Sequence, residues 1–204
     1  ISMAAVALLQ FLTFSPDKAL NKYENIAKAN TKTIWEPKTQ ATVCNPQRNT
    51  KDDPRVFMSQ SKEDRTLMKW FGGLCGGTYI KMGALNGKTY SNSHAFHKAL
   101  DWKGLLIEGS PTSYKELKVN RPNELFTVHA GVCGDEMMLH YIDTGIPAVR
   151  GFVEFSAESF QKQWWSEQQI KDAIEVQCRP LKDILMDTVG PEFHFDFFSL
   201  DIEG

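Results

Sequence analysis

Long apolar runs and blocks of basic residues are both absent from this sequence, and each absence excludes a class of protein. The uncharged stretch from Ile1 to Phe14 is shorter than the roughly 20 residues that a helix needs to span a bilayer. The formal net charge is −2 and no Lys/Arg block stands out, so no positive surface attracts a polyanion. We therefore expect no nucleic-acid partner.

Closely spaced cysteines are absent as well. The four cysteines form no CxxC pair and have no His partner at zinc-ligand spacing, so we expect no structural metal. A chain of 204 residues, 42% of them hydrophobic, can build a full core without cross-links, so we expect reduced thiols. These cysteines are Cys44, Cys75, Cys133 and Cys178.

The N-terminal part of the chain suggests contact with a partner. At helical periodicity, Ile1 to Phe14 forms an apolar face, which suits a docked helix, a membrane or partner anchor, or the remnant of a targeting segment. Residues 30–53 are rich in Thr, Asn, Lys and Pro and are predicted to form an extended arm. We expect residues 1–54 to contact a protein partner or a membrane, at an intracellular or organellar location. Because the chain starts with Ile1, we expect a processed product or a fragment.

The informative part of the sequence begins at Thr78. Residues 78–111 are predicted to form a strand, a glycine turn, a helix and a second strand that ends at Glu108. Gly83 and Gly87 allow the backbone of the turn to approach a ligand. Glu108 follows Gly87 by 21 residues, close to the spacing of about 20 at which an acid meets ribose hydroxyls. This pattern indicates a nucleoside ligand.

Two further strands complete the predicted sheet. Residues 125–130 are predicted as a buried third strand, followed by a turn that contains Gly131 and Val132. Residues 195–202 are predicted as a fourth strand, which leads to Asp201 and Glu203. Ligands of doubly wound sheets lie outside the carboxyl ends of the strands, so the turn at Gly131 should share one crevice with Gly83 and Glu108.

Two histidines, His94 and His97, lie three residues apart on the helix that follows the glycine turn. That spacing could bind a metal, but no acidic or cysteine companion accompanies it. We interpret both as surface or helix-capping side chains.

Five segments together resemble the FkbM-type S-adenosylmethionine-dependent methyltransferases. They are TYIKMGALNGKTYSNS, LLIEGSP, AGVC, CRPLKDIL and HFDFFSLDIEG. The resemblance implies an α/β, doubly wound, mostly parallel Rossmann-like sheet in residues 78–204. Residues 1–77 form a helical and loop extension in this interpretation. Since such sheets have more strands than the four predicted here, we expect a C-terminally incomplete domain and an exposed edge on the fourth strand.

The resemblance also implies an activity and a site. Family members O-methylate hydroxyls of sugars and natural products, so a small-molecule hydroxyl is the expected acceptor and S-adenosylmethionine the expected cofactor. Asp201 and Glu203 would lie near the acceptor, and Asp201 could act as base. The cofactor-binding residues expected from the resemblance and the topology are Gly83, Ala84, Asn86, Gly87, Glu108, Gly131 and Val132.

Two alternatives stay open. An NAD-dependent oxidoreductase also places an acid after its second strand. Such enzymes have a GxGxxG pattern, so the GxxxG spacing from Gly83 to Gly87 favours the methyltransferase. The second alternative is a catalytically degenerate domain that serves as an accessory subunit, because Lys81 stands where the family has an acid. Lys81 could repel the cofactor's positive charges, turn toward its methionine carboxylate, or reach solvent.

Overall fold

The structure, a computed structural model, describes residues 55–201 together with the backbone of the strands at residues 6–7 and 42–43. Its elements in chain order are β1 (Val6–Ala7), β2 (Thr42–Val43), α1 (Glu63–Trp70), β3 (Leu74–Cys75), β4 (Thr78–Met82), α2 (His94–Leu100), β5 (Lys103–Glu108), α3 (Pro111–Asn120), β6 (Phe126–His129), β7 (Gly131–Val132), β8 (Met137–Tyr141), α4 (Glu158–Trp164), α5 (Glu167–Lys171), β9 (Ile174–Arg179), α6 (Leu181–Thr188) and β10 (Phe197–Leu200). Short 3₁₀ helices lie at Pro147–Val149 and Val153–Phe155.

A mostly parallel central sheet confirms the predicted α/β class. Its strand order is β1-β10-β4-β5-β6, and the last four strands in that order run parallel to one another. Helices α1, α2 and α3 contribute side chains to a core on one face of the sheet, around Phe96 and Trp102. Helix α6 packs on the other face, around Ile184. The sheet is thus covered on both faces, as a doubly wound fold requires.

Helix α3 begins with two local signals in the sequence, a serine cap and a proline. The Ser110 side chain accepts a hydrogen bond from the backbone N–H of Ser113, and Pro111 occupies the first helical turn, where its missing N–H costs nothing. Helix α3 therefore begins at Pro111, three residues after β5 ends at Glu108.

The expectation of a helix near the N-terminus is wrong for the residues that can be described there. Val6–Ala7 forms a strand that pairs antiparallel with β10, with Val6 opposite Ser199. Short apolar runs do not distinguish helix from strand by periodicity alone, and an open strand edge offers unpaired N–H and C=O groups. The expected exposed edge of β10 is therefore partly covered by the chain's own β1. The rest of Ile1 to Phe14 lies outside the described residues.

The arm at residues 30–53 also contributes a strand. Thr42–Val43 pairs antiparallel with β3, so this part of the arm is extended, in agreement with the prediction. The remaining residues of the arm lie outside the described part of the chain. The division into an extension and a domain at Thr78 stays a prediction.

The segment after β5 differs from the prediction in two ways. Strand β6 is the last strand of the central sheet and is only partly buried, with Phe126 40% exposed, because an edge strand lacks a neighbour on one side. The predicted turn at Gly131–Val132 is a short strand, β7, in a second sheet of order β7-β9-β8. Strand β8 pairs with β9, and only a single bridge links it to Phe152.

The expectation of reduced thiols is wrong. Cys133 and Cys178 form a disulfide across a sequence separation of 45 residues, and Cys75 is disulfide-bonded as well. Pairing of β7 with β9 places Cys178 opposite Gly131, two residues before Cys133, so the bond follows from a contact that the spacing of cysteines cannot reveal. Disulfides are typical of oxidising compartments.

No helix within the described residues is both long enough and apolar enough to cross a membrane.

Candidate functional site

The candidate site lies where β10, β4 and β5 end side by side. Strand β4 is between the other two in the sheet, so its carboxyl end is flanked by Asp201, which follows β10, and by Glu108, the last residue of β5. The loop after β4, residues 83–90, closes over this edge. Ligands of parallel α/β sheets bind outside the carboxyl ends of strands, and the order of these strands brings the predicted residues to one place.

The loop has an unusual backbone. Positive φ angles occur at Gly83 (73°), Leu85 (47°), Gly87 (79°) and Tyr90 (55°). Leucine in this left-handed region is uncommon and costs free energy, so other contacts must hold the loop in place. The backbone N–H of Gly83 donates to the carbonyl oxygen of Ile107 at 3.1 Å, which fastens the start of the loop to β5.

Glu108 fastens the loop a second time. Its carboxylate accepts hydrogen bonds from the backbone N–H of Leu85 at 2.6 Å and of Ser110 at 2.7 Å, and the residue is only 2% exposed. Burial raises the pKa of this carboxyl group, and the two N–H donors oppose that shift. A carboxylate oxygen can accept more than one hydrogen bond, so Glu108 keeps capacity for ligand hydroxyls.

The side chain of Lys81, a residue of β4, lies beside that of Asp201, which follows the neighbouring strand β10. The Lys81 Nζ lies 3.6 Å from the Asp201 Oδ2, and the side chains are 2% and 33% exposed, respectively. Burial lowers the pKa of Lys81, while the Asp201 carboxylate opposes this shift. The Lys81 Nζ is buried without a hydrogen-bond partner, so Lys81 does not reach solvent.

A buried network beneath the loop centres on Arg121. Its Nε donates to the Glu124 Oε1 at 2.6 Å, its Nη1 donates to the carbonyl oxygen of Gly87 at 2.7 Å, and its Nη2 donates to the Tyr79 hydroxyl. Glu124 also accepts from Tyr79 at 2.6 Å and from the backbone N–H of Gly104 at 2.7 Å. Arg121 thus ties the loop to the sheet through polar contacts that exclude water.

The comparisons with known proteins decide the family. The model of the methyltransferase FkbM domain matches residues 81–204, which is more than half of the chain. The chain belongs to the FkbM methyltransferase domain family. A comparison with curated proteins gave no match, and neither did one with solved structures.

Two of the predicted cofactor residues, Ala84 and Gly87, are buried in the FkbM domain. Ala84 is fully buried in the core. A Cβ on Gly87 would lie 2.6 Å from the Arg121 Cγ and 2.7 Å from the Leu117 Cδ1, so this glycine is required for packing against α3.

Asn86 has a turn-forming role in the same domain. Its Oδ1 accepts from the backbone N–H of Thr89 at 2.9 Å and of Lys88 at 3.1 Å. Its carbonyl oxygen accepts from the Asn120 side chain at 2.8 Å. These contacts show that Asn86 shapes the loop that Gly83 begins.

Gly131 and Val132 belong to β7, beyond the end of β6. A Cβ on Gly131 would lie 2.6 Å from the Phe152 ring, and Val132 packs against the core cluster around Ile184. Packing against an aromatic ring is thus enough to explain Gly131. Glu203 lies outside the described residues. The structure therefore brings together Gly83, Glu108 and Asp201 from the predicted set.

Several side chains around the FkbM site had no sequence signal. Asp143 accepts from the hydroxyls of Ser110 and Thr112, the latter at 2.6 Å, and so extends the cap of α3. Phe152 and Tyr141 pack beside Gly109, the residue after Glu108. A groove next to Glu108's partner Leu85 is lined by Leu85, Asn86, Thr89, Thr112, Ser113, Glu116, Pro147 and Arg150. The segment after β8 thus supplies Asp143, Pro147 and Arg150 to the surroundings of the site, and no motif in its sequence indicates this.

The two histidines are not surface residues. His94 is 2% exposed and its Nδ1 lies 3.0 Å from the carbonyl oxygen of Val56. The His97 Nδ1 lies 3.2 Å from the carbonyl oxygen of Trp102 and 3.0 Å from Glu124. Within the part of the chain that the structure describes, no group of three or more His, Cys, Asp or Glu residues could hold a metal.

His94 should make stability depend on pH. Burial lowers the pKa of His94 to about 4, below its ordinary value of 6.5. The folded state thus favours the neutral ring, so this stabilisation is complete above pH 6.5 and is lost as the pH falls toward 4. We compare the free energy of unfolding in urea at pH 7 and at pH 5. Over this range it should fall by about 2 kcal/mol more in the wild type than in His94→Gln. An equal loss in both proteins would contradict this expectation.

Proposed function

We propose that this protein transfers a methyl group from S-adenosylmethionine to a hydroxyl of a small molecule or sugar. The observation that carries the proposal is the buried Glu108 carboxylate at the carboxyl end of β5, bonded to the loop after β4 and separated from Asp201 by a single strand. Such a carboxylate suits the two hydroxyls of a ribose, and the family assignment makes a methyl donor the expected ligand.

The residues fit an adenosine-type cofactor. Glu108 would accept hydrogen bonds from the ribose, while the loop that Gly83 begins would border the ligand without a Cβ in its way. When bound, S-adenosylmethionine supplies an electrophilic methyl group. What the chain must add is alignment of an acceptor oxygen and a place for its proton.

Asp201 is the proposed proton acceptor. It follows β10, its backbone N–H is bonded to the carbonyl oxygen of Met82, and a third of its side chain is exposed at the ligand edge. A carboxylate here could take the proton of a hydroxyl as its oxygen bonds to the methyl carbon and the bond from that carbon to sulfur breaks, which would leave a methyl ether and a neutral thioether. By resemblance, Glu203 is proposed to lie near the same acceptor.

A second candidate function follows from one observation. Because Lys81 pairs with Asp201, a positive charge engages the proposed base. The same geometry suits a degenerate domain that keeps the fold as an accessory subunit, with a partner bound through residues 1–54.

Titration calorimetry with S-adenosylmethionine tests the proposal. The wild type should bind the cofactor, and Glu108→Gln should weaken binding by about 10- to 100-fold, because hydrogen bonds to a charged acceptor contribute about 1.5–3 kcal/mol. Glu158→Gln is the matched control, since Glu158 is 86% exposed and pairs only with Lys162 on α4. It should bind as the wild type does.

Two outcomes would reject parts of the proposal. Absence of cofactor binding at millimolar concentration would reject the methyltransferase function and favour the accessory subunit. Binding that Glu108→Gln leaves unchanged would place the nucleoside elsewhere. Transfer of a labelled methyl group to a panel of monosaccharides, lost in Asp201→Asn, would support the proposed acceptor class and base.

A further inference from the structure

Lys81 is a buried lysine that lies beside a carboxylate and has unused hydrogen-bond donors. Its ammonium group has three N–H donors, and its Nζ has no hydrogen-bond partner. The Asp201 Oδ2, at 3.6 Å, is close enough for attraction but too far for a good hydrogen bond. Burial of an ammonium group is costly unless both its charge and its donors are satisfied. An acceptor on a ligand placed beside Lys81 would therefore satisfy donors that Asp201 leaves unused.

The order of strands places Lys81 between the two carboxylates that are proposed to face the cofactor. Strand β4 lies between β5, which ends at Glu108, and β10, which leads to Asp201. A ligand with its ribose at Glu108 and its reactive end near Asp201 must cross the end of β4. Lys81 is next to the last residue of β4, and both Glu108 and Asp201 act electrostatically on its ammonium group.

We infer that Lys81 selects the ligand by the charge of its tail: it binds a carboxylate on the amino-acid part and disfavours a positive sulfonium. This inference rests on the proposed function and specifies its ligand preference. It predicts that S-adenosylhomocysteine, which has the same carboxylate but a neutral thioether, binds more tightly than S-adenosylmethionine.

The charge argument gives the size of the effect. Unit charges several ångströms apart at a protein site interact strongly enough to change a dissociation constant about tenfold or more. An acid at this position would attract the sulfonium, so a lysine should reverse the preference. Removal of the carboxylate from the ligand should weaken binding, since Lys81 would lose the acceptor that satisfies its donors.

Calorimetry with four ligands tests the inference on the wild-type protein. The ligands are S-adenosylmethionine, S-adenosylhomocysteine, decarboxylated S-adenosylmethionine and methylthioadenosine, which lacks the amino-acid tail. We expect S-adenosylhomocysteine to bind about tenfold more tightly than S-adenosylmethionine, and the decarboxylated compound about tenfold more weakly. Equal affinities for these three ligands would overturn the inference without any variant.

Lys81→Met then assigns the effect to this residue. The variant removes the charge but keeps an unbranched apolar chain, so the three affinities should converge to within about twofold while methylthioadenosine binds as before. Lys103→Met is the control, because Lys103 is the first residue of β5, at the opposite end of the sheet. It should keep the wild-type preferences.

The outcomes separate the two proposals. Wild-type preferences that persist in Lys81→Met would reject the role of Lys81 and leave the methyltransferase proposal intact. Failure of all four ligands, including methylthioadenosine, to bind the wild type would reject both.

Discussion

Replacement of Arg121 by methionine is expected to lower the free energy of unfolding by about 3–5 kcal/mol. Arg121 is 1% exposed and donates to Glu124, Gly87 and Tyr79. Without the guanidinium group, Glu124 would keep a nearly buried charge, since its side chain is 1% exposed. Loss of one partner from a buried ion pair costs far more than loss of a surface pair, because the remaining charge is left without compensation.

Urea unfolding at pH 7 measures this change, and Arg179→Met is the matched control. Arg179 also forms an ion pair with a carboxylate, that of Asp187, but the two side chains are 25% and 52% exposed. Removal of this surface pair should cost less than about 1 kcal/mol. If both variants lost the same stability, the buried network would contribute no more than a surface pair, and the expectation would fail.

The same variant should affect ligand binding through the loop. The Arg121 Nη1 holds the carbonyl oxygen of Gly87, so its loss frees the end of a turn whose residues adopt costly positive φ angles. We expect weaker cofactor binding even though Arg121 does not line the open edge. In the family context, Arg121 is a positioning residue.

The sequence predicted the features that depend on neighbours along the chain. The strand β4, the end of β5 at Glu108 and the start of α3 at Ser110 all follow from apolar periodicity and capping chemistry. Topology then placed Glu108 and Asp201 at one edge, because parallel strands share their carboxyl ends. Glu108 and Asp201 were predictable because each stands at the carboxyl end of a strand that its own apolar residues indicate.

The features that were missed depend on contacts between distant residues. Arg121 stands at the end of α3, directly before a proline, yet its Nη2 donates a hydrogen bond to Tyr79, 42 residues earlier. Ala84 and Gly87 matched a ligand loop, but the side chains of α3 and the core explain their small size equally well. The pairing of β1 with β10 joins the two ends of the described chain and has no local signal. Spacing along a sequence does not report such contacts.

Loss of the Cys133–Cys178 disulfide is expected to lower stability by about 4 kcal/mol. The bond closes a loop with a sequence separation of 45 residues, which contains β8, α4, α5 and most of β9. In the chain-entropy account, a cross-link of this span restricts the unfolded chain by about that free energy. Urea unfolding of Cys133→Ala/Cys178→Ala, compared with the oxidised wild type, measures the difference.

The single variant and a reductant provide the controls. Cys133→Ala alone should lose nearly as much stability as the double variant, because the cross-link is absent from both. A reductant should destabilise the wild type by more than the double substitution does, since Cys75 is also disulfide-bonded. In the double variant, the reductant should remove only the contribution of that second bond. A double variant within about 1 kcal/mol of the wild type would mean that the bond does not restrain the unfolded chain. The second sheet would then depend on the pairing of β8 and β9 rather than on the cross-link between β7 and β9.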